Sequence, residues 1–289
     1  MNGERAGFKR MVVGLPQGLA NQASVETAAD LAEVLRIELL AMFIADSTLH
    51  MLAGLSGSRE LRTLDQEWQP IDVAQITRDI DHVVGLARRR FVESVKSRVI
   101  KTSFDVVAGT EVFAALIRAD DIVALLEPAH PGERITHQFT GLVDTAFSAA
   151  GAVLVVPRRI MRTVGPIAML ASGPDDPGIR TAMEIAAAIN ERLVVITAAQ
   201  TGLPKGLLAD AERLGIQIEQ AVANRPPANA AIAGLQERLR IRTRRVGTDD
   251  IRQLFSSLHG IPLLLIEPDR LRTVVEQETG QDRLLTDGL

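Results

Sequence analysis

The sequence predicts an α/β protein made of two tandem, doubly wound, five-stranded parallel-sheet domains, the second copy being shortened. Three observations support this fold class. Short apolar strands alternate with amphipathic helices, two stretches of the chain repeat each other, and a chain of 289 residues is near the length at which one core stops growing. Such alternation is typical of a parallel sheet that right-handed crossovers cover with helices on both faces.

The internal repeat is clearest between residues 26–44 and 180–198, which align without a gap. Each stretch has apolar residues at i, i+3, i+4 and i+7, which indicates a helix packed on a sheet, and then runs into a strand. The alternative is a chance likeness between two generic α/β segments. The equivalent positions are Ala28, Leu31, Ala32 and Leu35 in the first stretch and Ala182, Ile185, Ala186 and Ile189 in the second.

The ends of the two halves are also alike. Residues 147–157 (FSAAGAVLVVP) and 255–268 (FSSLHGIPLLLIEP) each contain the tail of a helix, a glycine and a strand. The connections between these anchors are shorter in the second half. We therefore expect domain 1 over residues 1–160 and a shortened domain 2 over residues 161–289.

In the first half, each predicted strand is a short apolar run, and each helix has apolar residues spaced by threes and fours. The first half carries extra material, which includes a long helix with an apolar stripe from Val73 to Val95. The predicted order is strand 11–14, helix 22–36, strand 39–44, helix 71–98, strand 99–107, helix 110–118, strand 121–126, helix 141–150 and strand 152–157. The second half repeats it with strands near 165–171, 193–198, 216–222, 241–246 and 262–266.

Composition excludes several classes of protein. The absence of cysteine excludes disulfides, thiolate metal sites and cysteine nucleophiles. A net charge of −4, 3% aromatic residues and no tyrosine argue against nucleic-acid binding. The uncharged stretches are too short for a membrane span, and the start MNGERAGFKR does not resemble a secretory signal. We expect no membrane association and a cytoplasmic location.

No catalytic constellation is recognisable, because no serine has a histidine and aspartate at familiar spacing or lies in a G-x-S-x-G elbow. Glu127, His130, Glu133 and His137 have side chains that could ligate a metal. Their spacing matches no compact ligand motif, and a solvated loop explains them equally well. We therefore predict no catalytic residue and no metal site.

Three features together resemble the universal stress protein family. They are Gly109 opening a short helix in VVAGTEVFAALI, the aspartates before the apolar strand in DDIVALL, and the terminal strand AVLVVP. The resemblance covers residues 8–157 and, more faintly, 163–268. It implies the doubly wound fold, also described as adenine nucleotide alpha hydrolase-like. It further implies that the terminal strands, whose apolar edges must be covered, pair the halves as an internal pseudo-dimer.

Nucleotide-binding members of this family carry a loop G-x2-G-x9-G-[ST] after the fourth strand. Its glycines let backbone amides approach phosphate, and its last residues begin a helix whose N-terminus favours anions. The stretch here reads Ala129-x2-Gly132-x8-Gly141-Leu142. It departs from the pattern in its first glycine, in its spacer and in the hydroxyl residue, and its prolines remove amide donors.

The remaining candidate nucleotide-binding residues lie in different halves of the chain. Family members that bind nucleotide usually place an aspartate just after the first strand, where this chain has GLPQG beginning at Gly14. The second half offers Asp175 and Asp176 there, but only Gly247 and Thr248 as a phosphate loop. A turn that starts a helix explains the two aspartates without a ligand, and an N-cap role explains Thr248.

We therefore expect a non-enzymatic, universal-stress-protein-like stress or regulatory binding protein without the usual ATP-binding loop or a cofactor. One alternative is an adenine-nucleotide-binding protein or slow ATPase, in which Gly132 and Gly141 hold the phosphates of ATP or AMP. Another is a structural or protein-interaction module that uses the loop 47–70 and the apolar edges. The expected partner is an unknown protein or a small ligand, and a homodimer is a further option.

Overall fold

The structure is a computed structural model of the chain. It describes residues 8–16, 22–45, 51, 55, 57–61, 67–128, 130–197, 202–222, 235–244 and 258–267. The strands are β1 (Arg10–Pro16), β2 (Glu38–Ala45), β3 (Arg59–Leu61), β4 (Trp68–Pro70), β5 (Thr102–Ala108), β6 (Asp121–Leu126), β7 (Ala152–Val156), β8 (Ile167–Ala171), β9 (Leu193–Thr197), β10 (Ile218–Val222), β11 (Leu239–Thr243) and β12 (Leu263–Ile266). The helices are α1 (Gln22–Leu35), α2 (Val73–Val95), α3 (Gly109–Leu116), α4 (His137–Ala149), α5 (Gly178–Ile189) and α6 (Lys205–Leu214), and Pro131–Ile135 forms a 3₁₀ helix.

The main sheet has ten strands in the order β10-β9-β8-β11-β12-β7-β6-β1-β2-β5. Each half contributes five strands in the same order, with its third strand at the outer edge and its first strand in the middle. All neighbouring strands within a half run parallel. The predicted α/β, doubly wound fold is thus confirmed, and the two five-stranded halves join into one continuous sheet.

The halves meet at a single antiparallel pair of strands, β7 and β12. Leu264 lies opposite Leu154 and Leu265 lies opposite Val153, and all four side chains are buried. These strands have apolar side chains on both faces because each face of the sheet is covered at this point. The apolar edge that the sequence predicts for each half is therefore paired inside the chain.

Polar contacts at the carboxyl end of β11 tie the halves together as well. The Arg244 guanidinium lies 4.5 Å from the ring centroid of Phe147, on α4 of the first half, and donates a hydrogen bond to the Phe147 carbonyl. It also lies 3.5 Å from the Glu267 carboxylate. The Glu267 amide donates to the Gly151 carbonyl at 2.8 Å. One arginine thus joins a helix of the first half to two segments of the second.

The first helix of each half ends in the same way. Arg36 and Asn190, at equivalent positions of the sequence repeat, both have φ of 54°. The amide of the following residue donates to the carbonyl of Ala32 in one half and Ala186 in the other, at 3.0 Å in both. A left-handed residue closes each helix and turns the chain into the next strand.

The core forms layers on both faces of the sheet, as alternating side chains of a central strand require. Met11 and Val13 of β1 belong to the layer with α1, α2 and α5, whereas Val12 faces the layer with α3 and α4. At the amino end of β1, Arg10 donates to the buried Asp121 carboxylate from Nε at 2.9 Å, and this bond raises the pKa of Arg10. Asp121, one of the two aspartates in DDIVALL, thus anchors β1 to β6.

Two details differ from the sequence prediction. Helix α4 begins at His137 and not at residue 141, because the Thr136 hydroxyl caps it by accepting a hydrogen bond from the Phe139 amide at 3.3 Å. The small antiparallel sheet of β3 and β4 is not predicted at all. Within the described part of the chain, no helix combines the length and the apolar character needed to cross a membrane.

Candidate functional site

The candidate site lies at the carboxyl ends of the parallel strands, where doubly wound folds bind ligands. In the first half this edge is formed by the end of β1, the connection after β6, and α4. In the second half it is formed by the turn after β8, the start of α5 and the end of β11. Ala129, Gly247 and Thr248 lie outside the described residues.

In the first half, Gly14 and Leu142 contact each other directly. A Cβ atom placed on Gly14 would lie 2.7 Å from Cδ1 of Leu142. The Leu142 side chain is 1% exposed and belongs to the core layer that includes Val12 and Phe139. The structure thus places a buried apolar side chain against the β1 backbone, at the residue that the sequence alignment matches to the family's phosphate-binding hydroxyl residue.

Gly141 lies in the second turn of α4, inside the helix. A Cβ atom at this position would lie 3.2 Å from Oγ1 of Thr110, which is on α3. The glycine therefore allows α4 to pack closely against α3. The helix expected to begin at residue 141 begins instead at His137, four residues earlier, so Gly141 lies within α4.

The connection after β6 is closed by an ion pair. Glu127 accepts a hydrogen bond from the Arg134 guanidinium, and its other oxygen accepts from the Arg158 amide at 2.7 Å. The two opposite charges offset each other, so neither acts on a ligand with its full charge. Gly132, in the 3₁₀ helix, is exposed, and no atom lies within 4 Å of the place where its Cβ would be.

In the second half, Asp176 is buried, with 5% of its surface exposed. One oxygen of its carboxylate accepts from the amide and the hydroxyl of Ser172, both at 2.8 Å. The other accepts from the Gly178 amide at 2.9 Å and from the Thr243 hydroxyl. Asp176 thus joins the turn after β8, the start of α5 and the end of β11, whereas Asp175 is exposed.

Gly178 is the reason that this cluster can close. A Cβ atom there would lie 2.8 Å from Cε of Met169 and 3.2 Å from Oδ1 of Asp176. Sequence reasoning missed Ser172 and Thr243 as partners of Asp176. The D-P-G sequence indicates a local turn, but nothing in the sequence connects Thr243 to an aspartate 67 positions earlier.

The arrangement offers few groups to a ligand. Of the predicted residues, the structure brings Gly14 together with Leu142 and uses Asp176 inside the fold, while Gly132 and Asp175 face solvent in different halves. Within the described ranges, no group of three or more histidine, aspartate and glutamate side chains has the arrangement of a metal site.

Comparison with known proteins identifies the fold. A universal stress protein from Archaeoglobus fulgidus DSM 4304 is similar with a TM-score of 0.56 at 12% identity, over 89% of this chain and 96% of that chain. A functionally unknown protein from Pseudomonas aeruginosa PAO1 gives 0.47 at 16%, over 96% and 98% of the two chains. A universal stress protein in complex with cAMP gives 0.30 at 13%, over 52% and 98%.

No family model matches the sequence, and no curated protein matches it. The chain has the universal stress protein fold, and the first of these structures shows it over nearly the whole length of both chains. The family resemblance inferred from the sequence is therefore confirmed at the level of the fold.

Proposed function

We propose that this protein is a universal-stress-protein-like stress or regulatory factor that acts through binding, without catalysis and without the usual ATP-binding loop. The observation that carries the proposal is the contact between the buried Leu142 side chain and Gly14. A leucine side chain has no hydrogen-bond donor for phosphate. Its packing against β1 also fills space beside the strand that a ligand entering here would need.

The charge of the connection after β6 supports the same conclusion. The Glu127 carboxylate lies among the residues that would surround the phosphates, and Arg134 is already paired with it. A triphosphate at this position would meet a negative charge and would compete with that carboxylate for the guanidinium. In the second half, Asp176 makes its hydrogen bonds within the fold, so it is not available to a ribose or a cation.

We further propose that the chain is a tandem duplication, with one domain over residues 1–160 and a shortened one over residues 161–289. The shared strand order and the matching helix ends support it. The antiparallel pairing of β7 with β12 supports an internal pseudo-dimer. The proposed location is the cytoplasm, and the proposed partner is a protein or a small ligand and not a nucleic acid.

The alternative, an adenine-nucleotide-binding protein or slow ATPase, is favoured by one observation. Gly132 is exposed, and the N-terminus of α4 follows a few residues later. Backbone amides at such a position attract anions. Ligand binding to the native state raises the melting temperature by mass action, so the alternative can be tested directly.

The test is a thermal-shift titration of the purified full chain with ATP and with AMP, together with native mass spectrometry for nucleotide that co-purifies. We expect no shift at millimolar nucleotide and no co-purified nucleotide. A Gly132→Val variant is the matched control, because the side chain would enter open space. A rise in melting temperature with ATP that Gly132→Val abolishes would overturn the proposal and establish the alternative.

A second candidate function, protein interaction through the loop 47–70, is favoured by the small sheet of β3 and β4. Leu61 and Trp68 lie opposite each other across this sheet and are 49% and 60% exposed. Exposed aromatic and aliphatic pairs of this kind are common at interfaces. A partner captured by the full chain, lost on deletion of 47–70 and also lost in Trp68→Ser, would support it. Capture that survives both changes would refute it.

A further inference from the structure

A cavity lies between the two halves, on the side of the sheet that carries α1 and α5. Its volume is about 40 Å³. It is enclosed by α1, by the segment that joins the halves, and by β8, β11 and the end of α5. We call it the junction cavity. Its lining residues are Thr27, Asp30, Leu31, Val34, Leu154, Ile160, Arg162, Thr163, Ile167, Ile189, Arg238, Leu239 and Pro262.

A wider surface depression of about 560 Å³ lies beside the junction cavity, and the two share Arg162 and Thr163. The floor of the cavity is aliphatic, and its polar residues lie on α1, in the joining segment and just before β11. Both halves contribute to the lining. A ligand here would touch both of them at once, unlike a ligand at the carboxyl edge of one half.

The charges around the cavity favour an anion. Its one carboxylate, Asp30, lies 2.5 Å from the Arg98 guanidinium, which offsets part of its negative charge. Arg162 is exposed, whereas Arg238 interacts electrostatically with the Asp30 carboxylate. The lining thus presents two guanidinium groups beside an aliphatic floor. Arginine is well suited to hold a carboxylate, because its planar group can donate two parallel hydrogen bonds.

The size of the cavity limits the apolar part of the ligand. A water molecule needs roughly 10–15 Å³ by this measure, so the cavity has room for about three water-sized groups. An aliphatic tail of about three carbons would fill it. Burying each methylene strengthens binding about fourfold, until the space is full.

We propose that the junction cavity binds a short-chain aliphatic carboxylate, with its tail on the apolar floor and its carboxylate at Arg162, where the cavity meets the depression. This site is separate from the carboxyl edges of the strands and does not depend on the proposed function above. Because the ligand contacts both halves, its binding stabilises the junction between them.

The test is isothermal titration calorimetry of the full chain with acetate, butyrate and octanoate. Butyrate is expected to bind more tightly than acetate by about fifteenfold, since two more methylenes are buried. Octanoate is expected to bind no more tightly than butyrate, because its additional methylenes do not fit. Butylammonium, which has the same number of carbons and the opposite charge, is expected not to bind.

Two variants test whether the ligand binds in the junction cavity. Arg162→Gln, at an exposed residue, is expected to weaken butyrate binding about tenfold, and the matched control Arg180→Gln on α5 is expected to leave it unchanged. Val34→Phe is expected to abolish binding by filling the cavity, with folding verified by circular dichroism. No binding across the series at millimolar concentration would overturn the proposal. Butyrate binding that is unchanged in Arg162→Gln, or equal binding of butylammonium, would also overturn it.

Discussion

The Asp176 carboxylate accepts hydrogen bonds from two backbone amides and two hydroxyls, close to the number that its two oxygens accommodate. Sequence alone can predict that an aspartate before Pro177 forms a turn at the start of a helix. It cannot predict that Ser172 and Thr243 complete the set, since Thr243 arrives through the pairing of β11 with β8. These additional hydrogen bonds decide whether the Asp176 carboxylate is available to a ligand.

Replacing Asp176 with asparagine is expected to lower the free energy of unfolding by about 2–4 kcal/mol, because charge-assisted bonds are lost and donors at a buried position lose their partner. Asp175→Asn, at the neighbouring exposed residue, is the matched control and should change it by less than about 0.5 kcal/mol. Urea denaturation followed by circular dichroism measures both. Equal effects of the two substitutions would contradict the structural role of Asp176.

The contact between Gly14 and Leu142 can be tested with single and double variants. Gly14→Ala should cost about 1–3 kcal/mol through overpacking against Leu142, and Leu142→Ala should cost about 2–5 kcal/mol through a cavity. In the double variant the new methyl enters the space that leucine vacates. The combined cost should therefore be smaller than the sum, by about 1 kcal/mol or more, in a double-mutant cycle. Strict additivity would show that the two residues do not contact each other.

At the scale of elements, the sequence predicts the strands well because each is buried on both faces and reads as a continuous apolar run. β6 agrees with its predicted bounds at both ends. The family pattern predicts too late a start for helix α4, because it assigns the helix start to Gly141-Leu142. Thr136 is a visible N-cap signal that fixes the earlier start.

The strands β3 and β4 escape prediction for a different reason. They are three residues long, and Leu61 and Trp68 are exposed, so no face of this small sheet is consistently apolar. These strands therefore lack the apolar periodicity from which a strand is predicted. Exposed segments of this kind are visible only in the folded structure.

Asp30 on α1 pairs with Arg98, just after α2, and its titration makes the stability of the protein depend on pH. Desolvation raises the pKa of Asp30 above its ordinary value of 3.8, against the opposing effect of Arg98. The folded protein therefore holds this proton more tightly than the unfolded chain does. The contribution of Asp30 to stability is greatest at low pH and is lost as pH rises through the raised pKa.

Asp30→Asn removes this titration, so the variant should gain stability relative to the parent as the pH rises from below 3.8 towards neutrality. Denaturant unfolding at a series of pH values measures the difference. Asp81→Asn, at an exposed position of α2, is the matched control for the removal of one carboxylate. A difference that moves in the opposite direction would mean that the ion pair with Arg98 outweighs desolvation.

At the scale of the whole molecule, sequence indicates that two apolar terminal strands need cover, but not which way they run or in which register. The structure pairs β7 with β12 antiparallel, with Leu264 opposite Leu154. Arg244 then reaches Phe147 across the junction. Contacts between residues so distant in the chain depend on the assembled sheet, which is why a local pattern does not reveal them.

Arg244→Ala should lower the free energy of unfolding by about 2–4 kcal/mol, since it removes a cation–π contact, a hydrogen bond and an ion pair at a half-buried site. Arg213→Ala is the matched control, because its ion pair with Asp210 is at the surface and should contribute less than about 1 kcal/mol. Chemical denaturation of both variants measures this. Equal losses would show that Arg244 does not stabilise the junction.

The two apolar strand edges that pair with each other, β7 and β12, belong to one polypeptide. Separate subunits joined by such strands would come apart on dilution, whereas here covalent linkage holds the edges at a fixed local concentration. A substitution in a symmetric homodimer appears twice, but a substitution here appears once. Each carboxyl edge can therefore change on its own while the other is left as it was.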